Sequence, residues 1–156
     1  MLELVFVVAI VTLLIGLAVR AHNVQFFRAQ IAEAFALSAG PRIDMVIYRA
    51  EHGYWPDTAA ELHISAFEPD KRQGRYVQRI IYVGDGAYSF EFGGDYAVQG
   101  FGTGQLGMQP MLVEHSAGSP IAWACGSHPA PAGMKKSHAD TTSLDPFYLP
   151  YSCREK

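Results

Sequence analysis

The sequence predicts an α+β protein in which a long, kinked N-terminal helix packs on a four-stranded antiparallel sheet. Three patterns predict this fold: an apolar N-terminal run, a helical repeat that continues beyond it, and alternating polarity in the second half of the chain. We expect residues 1-20 to form one segment and residues 21-156 to form a globular domain. The expected parts of that domain are the rest of the helix (21-52), a connector (53-75), the sheet (76-125) and a C-terminal loop (125-153).

The N-terminal run extends from Leu2 to Val19, and its single formal charge is the carboxylate of Glu3. Eighteen residues span roughly 27 Å as a helix, close to the ~30 Å hydrocarbon core of a bilayer. An acid at mid-membrane costs about 2.5–3.5 kcal/mol, and somewhat less near the end of a span. The run therefore predicts a membrane segment in which Glu3 has a function.

Two simpler interpretations fit this run less well. A secretory signal peptide has a basic leader, a shorter apolar core and a cleavage site, whereas no Lys or Arg precedes this run and the helical pattern continues past it. A generic anchor gives no reason for Glu3. In addition, Arg20 and Arg28 follow the run, and the positive-inside rule would then place the following domain in the cytoplasm. That conflict suggests that a basic leader precedes the run.

The segment Leu2-Glu3-Leu4-Val5-Phe6-Val7-Val8-Ala9-Ile10 resembles the start of type IV pilins and their pseudopilin relatives, which open with a pattern like F-T-L-I-E-L-M-I-V-V-A-I. The acid and the V-V-A-I core are in register. The family's glutamate lies two residues further from the processed N-terminus, behind a short basic leader that ends in glycine. We therefore expect Met1 to replace an interior residue and the native chain to begin upstream.

The resemblance implies a structural filament subunit and no enzymatic activity. The subunit would be stored in the inner membrane through residues 2-19, processed by a prepilin peptidase, N-methylated, and assembled by an inner-membrane platform with other pilin subunits into an extracellular pilus. Glu3 would pair with the α-amine of a neighbouring subunit, which offsets part of the cost of burying its charge. Adhesion to a host surface, twitching motility and DNA uptake are the functions implied.

Composition agrees with one exported domain behind one anchor. The chain has 156 residues, 49% of them hydrophobic, and a net charge of −3 from 12 basic and 15 acidic residues. No global positive field therefore attracts nucleic acid.

The helical repeat continues from the apolar run to about Glu51. Apolar and small residues recur at three- and four-residue steps, as in a stripe that faces a core. Because proline removes a backbone hydrogen bond and clashes with the preceding turn, we expect a kink at Gly40-Pro41. His52-Gly53 predicts the end of the helix. The residues of the stripe are Val24, Phe27, Ile31, Ala34, Ser38, Met45 and Tyr48.

The end of this helix also resembles the family, in which a tyrosine-rich segment is followed by a glycine-aromatic-proline turn, here Gly53-Tyr54-Trp55-Pro56. In the connector, Asp57 or Thr58 is placed to cap a short helical turn that runs through Leu62.

Alternation of polarity predicts two hairpins. The first joins 76–83 to 87–92 through Gly84-Asp85-Gly86, since Asp-Gly supplies the positive φ angles of a tight turn. The second joins 111–115 to 121–125 through a turn at 116–120. Four strands with one apolar face would lie on the amphipathic half of the helix.

The chain contains two cysteines, Cys125 and Cys153. An even pair in an exported chain favours a disulfide, and closing this loop is worth roughly 3–4 kcal/mol in the chain-entropy model. Trp123-Ala124-Cys125 and Tyr148-Leu149-Pro150-Tyr151-Ser152-Cys153 resemble the W-x-C and Y-L-P-x-x-C patterns around the disulfide-bounded C-terminal loop of type IV pilins. Many general secretion pseudopilins lack this bridge.

Three other chemistries have weak support. The stretch 102–107 has the letters of a dinucleotide fingerprint but no following helix, so a flexible loop is the better interpretation and we predict no cofactor. The six histidines show no metal-ligand spacing, and no catalytic constellation appears.

One basic cluster suggests a ligand. With Tyr76 and Tyr82 nearby, its cations could contact a DNA backbone, or they could protect an edge strand from aggregation. Lys135-Lys136 would join it if the C-terminal loop folds back. The cluster consists of Lys71, Arg72, Arg75 and Arg79.

Three functions therefore stay open: a structural pilus subunit, a minor pilin that binds DNA during natural transformation, and a type II secretion pseudopilin.

Overall fold

The fold is described from a computed structural model. It describes residues 2–62, 65–67, 73–93, 104–114 and 118–155.

The N-terminal half forms two consecutive helices, α1 (Leu2–Leu37) and α2 (Ala39–His52), which are separated at Ser38. Pro41 explains this break, because it has no N–H to donate to the carbonyl of Leu37 and its ring clashes with that group. The predicted interruption is thus present, three residues before the proline. At this break the Ser38 hydroxyl and the Ser38 N–H both donate to the carbonyl oxygen of Phe35, at 2.6 Å and 3.2 Å.

Helix α2 ends where the sequence predicts. Gly53 adopts φ +82° and donates its N–H to the carbonyl oxygen of Arg49 at 2.8 Å, a C-terminal cap that favours glycine. Two short 3-10 helices follow, Ala59–Leu62 and Ser65–Phe67. The first is the helical turn predicted for the connector.

The second half forms an antiparallel sheet in the order β1-β2-β3-β4, with β5 also paired to β3. The four predicted strands are present, although β3 begins six residues earlier than we expected, and β5 was not predicted. A further short 3-10 helix, Tyr151–Cys153, lies near the C-terminus. The strands are β1 (Val77–Gly84), β2 (Ala87–Phe92), β3 (Gln105–Val113), β4 (Ala122–Cys125) and β5 (Met134–Lys136).

The turn between β1 and β2 has the predicted Asp-Gly chemistry. Asp85 and Gly86 both adopt positive φ, at 52° and 75°. The hydroxyl of Tyr82 donates to the carbonyl oxygen of Pro56 at 2.5 Å and accepts the N–H of Gly86 at 3.0 Å. These bonds fix the turn against the segment that leaves α2.

The core lies between the helices and one face of the sheet. Tyr88, Phe90 and Phe92 alternate along β2, so their side chains share one face, and all three are fully buried. Phe27 and Ile31 of α1 belong to the same apolar cluster. The helices and the sheet therefore stabilise each other through a shared core.

Candidate functional site

The N-terminal part of α1 is an apolar rod whose side chains are exposed from Leu2 to Ala18. Leu2 is 85% exposed and Leu17 is 61% exposed, and the exposed side chains lie on every side of the helix. A helix that is apolar all round is stable only when lipid or other helices cover it. The exposed large apolar residues of the rod are Leu2, Leu4, Val5, Phe6, Val7, Val8, Ile10, Val11, Leu13, Leu14, Ile15 and Leu17.

Two polar side chains, Thr12 and Glu3, interrupt this rod. They differ in whether the helix itself supplies their polar partners. The hydroxyl of Thr12 donates to the carbonyl oxygens of Val8 (3.0 Å) and Ala9 (2.9 Å), so apolar surroundings leave it satisfied. Glu3 lies in the first turn of α1, where the helix dipole favours a negative charge. A carboxylate surrounded by apolar groups also needs an opposite charge.

Within the ranges described above, no helix is both long and apolar enough to cross a membrane.

The C-terminal segment is held by the predicted disulfide between Cys125 and Cys153, with Cα atoms 4.8 Å apart. The guanidinium of Arg154 secures the same segment by donating to the carbonyl oxygens of Leu149 (2.7 Å) and Phe147 (2.9 Å). This role of Arg154 was not predicted, because its acceptors are backbone atoms that carry no sequence signal.

A groove of about 640 Å³ lies between this C-terminal segment and the adjoining face of α1, residues 27–35. The ring centroids of Phe27 and Tyr148 are 4.1 Å apart, and Leu149 is almost fully buried. At the rim, Phe147 is 69% exposed and Tyr151 is 73% exposed. We name this surface the lower groove.

Helix α2 carries a second exposed apolar surface, formed by Ile43 (60% exposed) and Ile47 (49% exposed). They lie one turn apart on the same side of the helix. A depression lined by Asp44, Glu51 and Glu61 adjoins Ile47. We name Ile43 and Ile47 the α2 ridge.

Hydrogen bonds order the acidic depression. The hydroxyl of Tyr48 donates to Glu61 at 2.7 Å, which lowers the pKa of the Glu61 carboxyl and raises the pKa of Tyr48. Glu61 also accepts the backbone N–H of Asp57 and the hydroxyl of Thr58. Glu61 is therefore kept charged beside the ridge.

The predicted basic cluster is described in part. Arg79 forms an ion pair with Glu91 at 2.5 Å, which raises the pKa of Arg79. Arg75 lies 5.6 Å from the ring centroid of Tyr76. Lys71 and Arg72 lie outside the described residues, so the structure does not test whether the four residues meet.

The other candidate motifs are described only in part. Residues 102 and 103 of the glycine-rich stretch lie outside the described residues, and Gln105 onwards belongs to β3. Among the residues that can be described, no group of three or more His, Cys, Asp and Glu side chains is arranged to hold a metal ion.

Comparison with known proteins decides the family. A family model for pilin, a bacterial filament protein, matches residues 27–154. The chain belongs to the pilin family. The predicted α+β pilin fold, with its helix on an antiparallel sheet and its C-terminal disulfide, is confirmed.

Relatives agree over nearly the full length of this pilin. A type IV major pilin protein PilE1 of Neisseria gonorrhoeae is 27% identical over 99% of this chain and 85% of its own length. Another PilE1 protein of that organism is 30% identical over 99% of this chain and 72% of its own. A fimbrial protein of Neisseria meningitidis serogroup B is 25% identical, with 99% and 92% covered. This pilin is thus similar to filament subunits, which supports a pilus subunit.

Proposed function

We propose that this pilin is a structural subunit of a type IV pilus that assembles through its rod, residues 2-19. The observation that carries the proposal is the ring of exposed apolar side chains around the first turns of α1 in a chain that belongs to a family of filament proteins. Removing such surface from water contributes roughly 25 cal/mol per Å². The rods of several copies would therefore form the filament core.

We propose that Glu3 sets how neighbouring rods align along the filament axis. A charge within apolar surroundings is stabilised only beside an opposite charge, and the α-amine of a neighbouring subunit supplies one. If two neighbouring rods are shifted along their axes so that Glu3 does not reach the amine, its carboxylate has no partner, and that arrangement is disfavoured. Assembly would thus depend on the charge of Glu3, whereas folding of the globular domain would not.

The test is to compare three variants of the full chain in the producing cell: Glu3→Ala, Glu3→Gln and Glu3→Asp. We expect Glu3→Ala and Glu3→Gln to abolish sheared filaments while the Cys125–Cys153 bond still forms, as checked by intact mass. Glu3→Asp keeps the charge and should retain part of the assembly. Normal filaments from Glu3→Ala would refute the role of the charge.

We further propose that the subunit is held in the inner membrane before an assembly machine extracts it. The support is the length of the apolar run and its lack of charges after Glu3. In cells that lack the assembly ATPase, the full chain should stay with inner membranes after alkaline carbonate extraction. Recovery in the soluble fraction would contradict this stage.

Adhesion, twitching motility and DNA uptake stay predictions from the resemblance, as do the peptidase and the assembly platform. For DNA, the ion pair between Arg79 and Glu91 neutralises one of the four proposed cations. Binding through this cluster would therefore depend on Lys71, Arg72 and Arg75. The unchanged chain should then bind duplex DNA with an affinity that falls steeply with salt, and neutralising Arg72 and Arg75 should weaken that binding. Equal binding by the unchanged chain and the variant would contradict a role of the cluster.

A further inference from the structure

We propose that the lower groove of one copy receives the α2 ridge of a second copy of this chain. The inference rests on the proposed filament assembly and specifies a contact between globular domains, separate from the rod. Its basis is that one chain presents an apolar groove and an apolar projection, each beside charges of opposite sign.

The groove has the features of a surface that needs a partner. Its walls are apolar and come from two elements, α1 residues 27–35 and the C-terminal segment 147–154. Phe147 and Tyr151 stand mostly exposed at its rim. Exposed aromatic side chains around an apolar depression are typical of protein–protein contact sites, where they supply large contact areas.

The ridge is apolar, as the groove is. Ile43 and Ile47 project from one side of α2, and both are about half exposed or more. Two isoleucines one turn apart form a narrow apolar edge, the shape that docks into a groove beside a helix. The cation of Arg42 flanks the other side of this edge, where its Nε donates to the carbonyl oxygen of Ser38 at 3.3 Å. The acidic side of the ridge is therefore the one next to Glu51 and Glu61.

Charge complements this shape. The charged residues that line the groove are both cations, Arg28 and Arg154. The charged residues in the depression beside Ile47 are the carboxylates of Asp44, Glu51 and Glu61. Complementary charges at the rim of an apolar contact set its orientation and disfavour a reversed approach.

The two surfaces are distinct, so one copy can use both at once. They share no lining residue. Their centres lie near residues 31 and 47 of the helical segment, about 24 Å apart at 1.5 Å per residue. A contact between different surfaces of identical copies is heterologous, and when it does not close into a ring it extends into a helical filament.

Cross-linking tests the contact in assembled filaments. The chain has two cysteines, and both are in the disulfide. The full chain carrying Ile47→Cys and Tyr151→Cys should therefore form a ladder of covalent multimers on a non-reducing gel after mild oxidation of filaments. Each single variant should remain monomeric. A matched pair, Ile47→Cys with Val113→Cys, places the second thiol on an exposed position of β3 that the proposal keeps apart.

Charge reversal gives an independent readout. Arg28→Glu and Glu51→Arg should each reduce the yield of sheared filaments, and the combined variant should restore it. Intact mass of the disulfide-bonded chain checks folding in each case.

The outcomes separate this inference from the proposed function. If the unchanged chain forms no filaments, the proposed function fails. If filaments form but the Ile47–Tyr151 pair gives no ladder, or the Val113 pair gives an equal one, the α2 ridge does not lie in the groove and this inference is overturned.

Discussion

The carboxylate of Glu33, in the last turns of α1, accepts the backbone N–H of Val77 at the first residue of β1, with a distance of 3.1 Å. The same oxygen accepts the N–H of Tyr76 at 2.9 Å. Gly74 leaves the space for this carboxylate, since a Cβ at that position would overlap it. One side chain of the helix thus fixes where the sheet begins.

The first prediction concerns this link. Glu33→Ala leaves two backbone N–H groups without their acceptor, so we expect the free energy of unfolding to fall by about 2 kcal/mol. Glu33→Gln keeps one carbonyl oxygen and should lose less. The measurement is denaturant unfolding of the full chain in detergent, followed by circular dichroism.

Glu155→Ala is the control for Glu33→Ala, because it removes an exposed carboxylate near the C-terminus. We expect it to change the free energy of unfolding by less than about 0.5 kcal/mol. Equal losses from both variants would show that the hydrogen bonds of Glu33 do not stabilise the fold.

The parts of the fold that the sequence predicts are those that single residues or short segments determine through their own backbone preferences. Pro41 interrupts the helix and Gly53 ends it because each changes the backbone directly. Asp85-Gly86 forms the turn because both residues tolerate positive φ. The helical rod was also predictable, since residues 2–19 form one apolar run interrupted only by Glu3 and Thr12.

The parts that were missed depend on tertiary contacts. The start of β3 contains Gly107 and Pro110, which disfavour strands locally, yet β2 and β4 pair with them. Strand β5 has three residues and pairs with the end of β3, so it has no pattern of its own. The lower groove joins residues more than a hundred positions apart, which no local pattern reveals.

The second prediction concerns the disulfide. The Cys125→Ser, Cys153→Ser double variant should lose roughly 2–5 kcal/mol of the free energy of unfolding, the usual cost of removing a native bridge. The reason is that the bridge constrains the unfolded chain over a separation of 28 residues. Reduction of the unchanged chain should give the same loss in the same unfolding experiment. A smaller loss, under about 1 kcal/mol, would contradict this view.

The third prediction separates two costs at Gly86. Gly86 and Gly133 adopt similar positive φ angles, 75° and 82°, but only at Gly86 would a Cβ meet a neighbour, the ring of Trp55 at 2.7 Å. Gly133→Ala should therefore cost about 1–2 kcal/mol from backbone strain alone. Gly86→Ala should cost at least about 1 kcal/mol more, because the ring must move. If thermal unfolding gives equal losses in the free energy of unfolding for the two variants, moving the ring of Trp55 costs nothing measurable.

The fourth prediction is a pH dependence that arises at Tyr88. Burial raises the pKa of its hydroxyl, and the positive charge of Arg42 opposes this shift only in part. Below pH ~10 both the folded and the unfolded chain keep this proton, so stability does not depend on it. Above that pH the unfolded chain releases the proton first, and the free energy of unfolding falls by up to about 1.4 kcal/mol per pH unit.

Tyr88→Phe removes the group that titrates and should flatten this alkaline decline, while it changes stability at pH 7 by less than about 1.5 kcal/mol. Some slope should remain, because burial also raises the pKa of Tyr82. Tyr151→Phe is the control, since that ring is 73% exposed. Unfolding measured between pH 7 and pH 11 gives the comparison. If the two substitutions give the same profile, the buried hydroxyl of Tyr88 is not the cause of the decline.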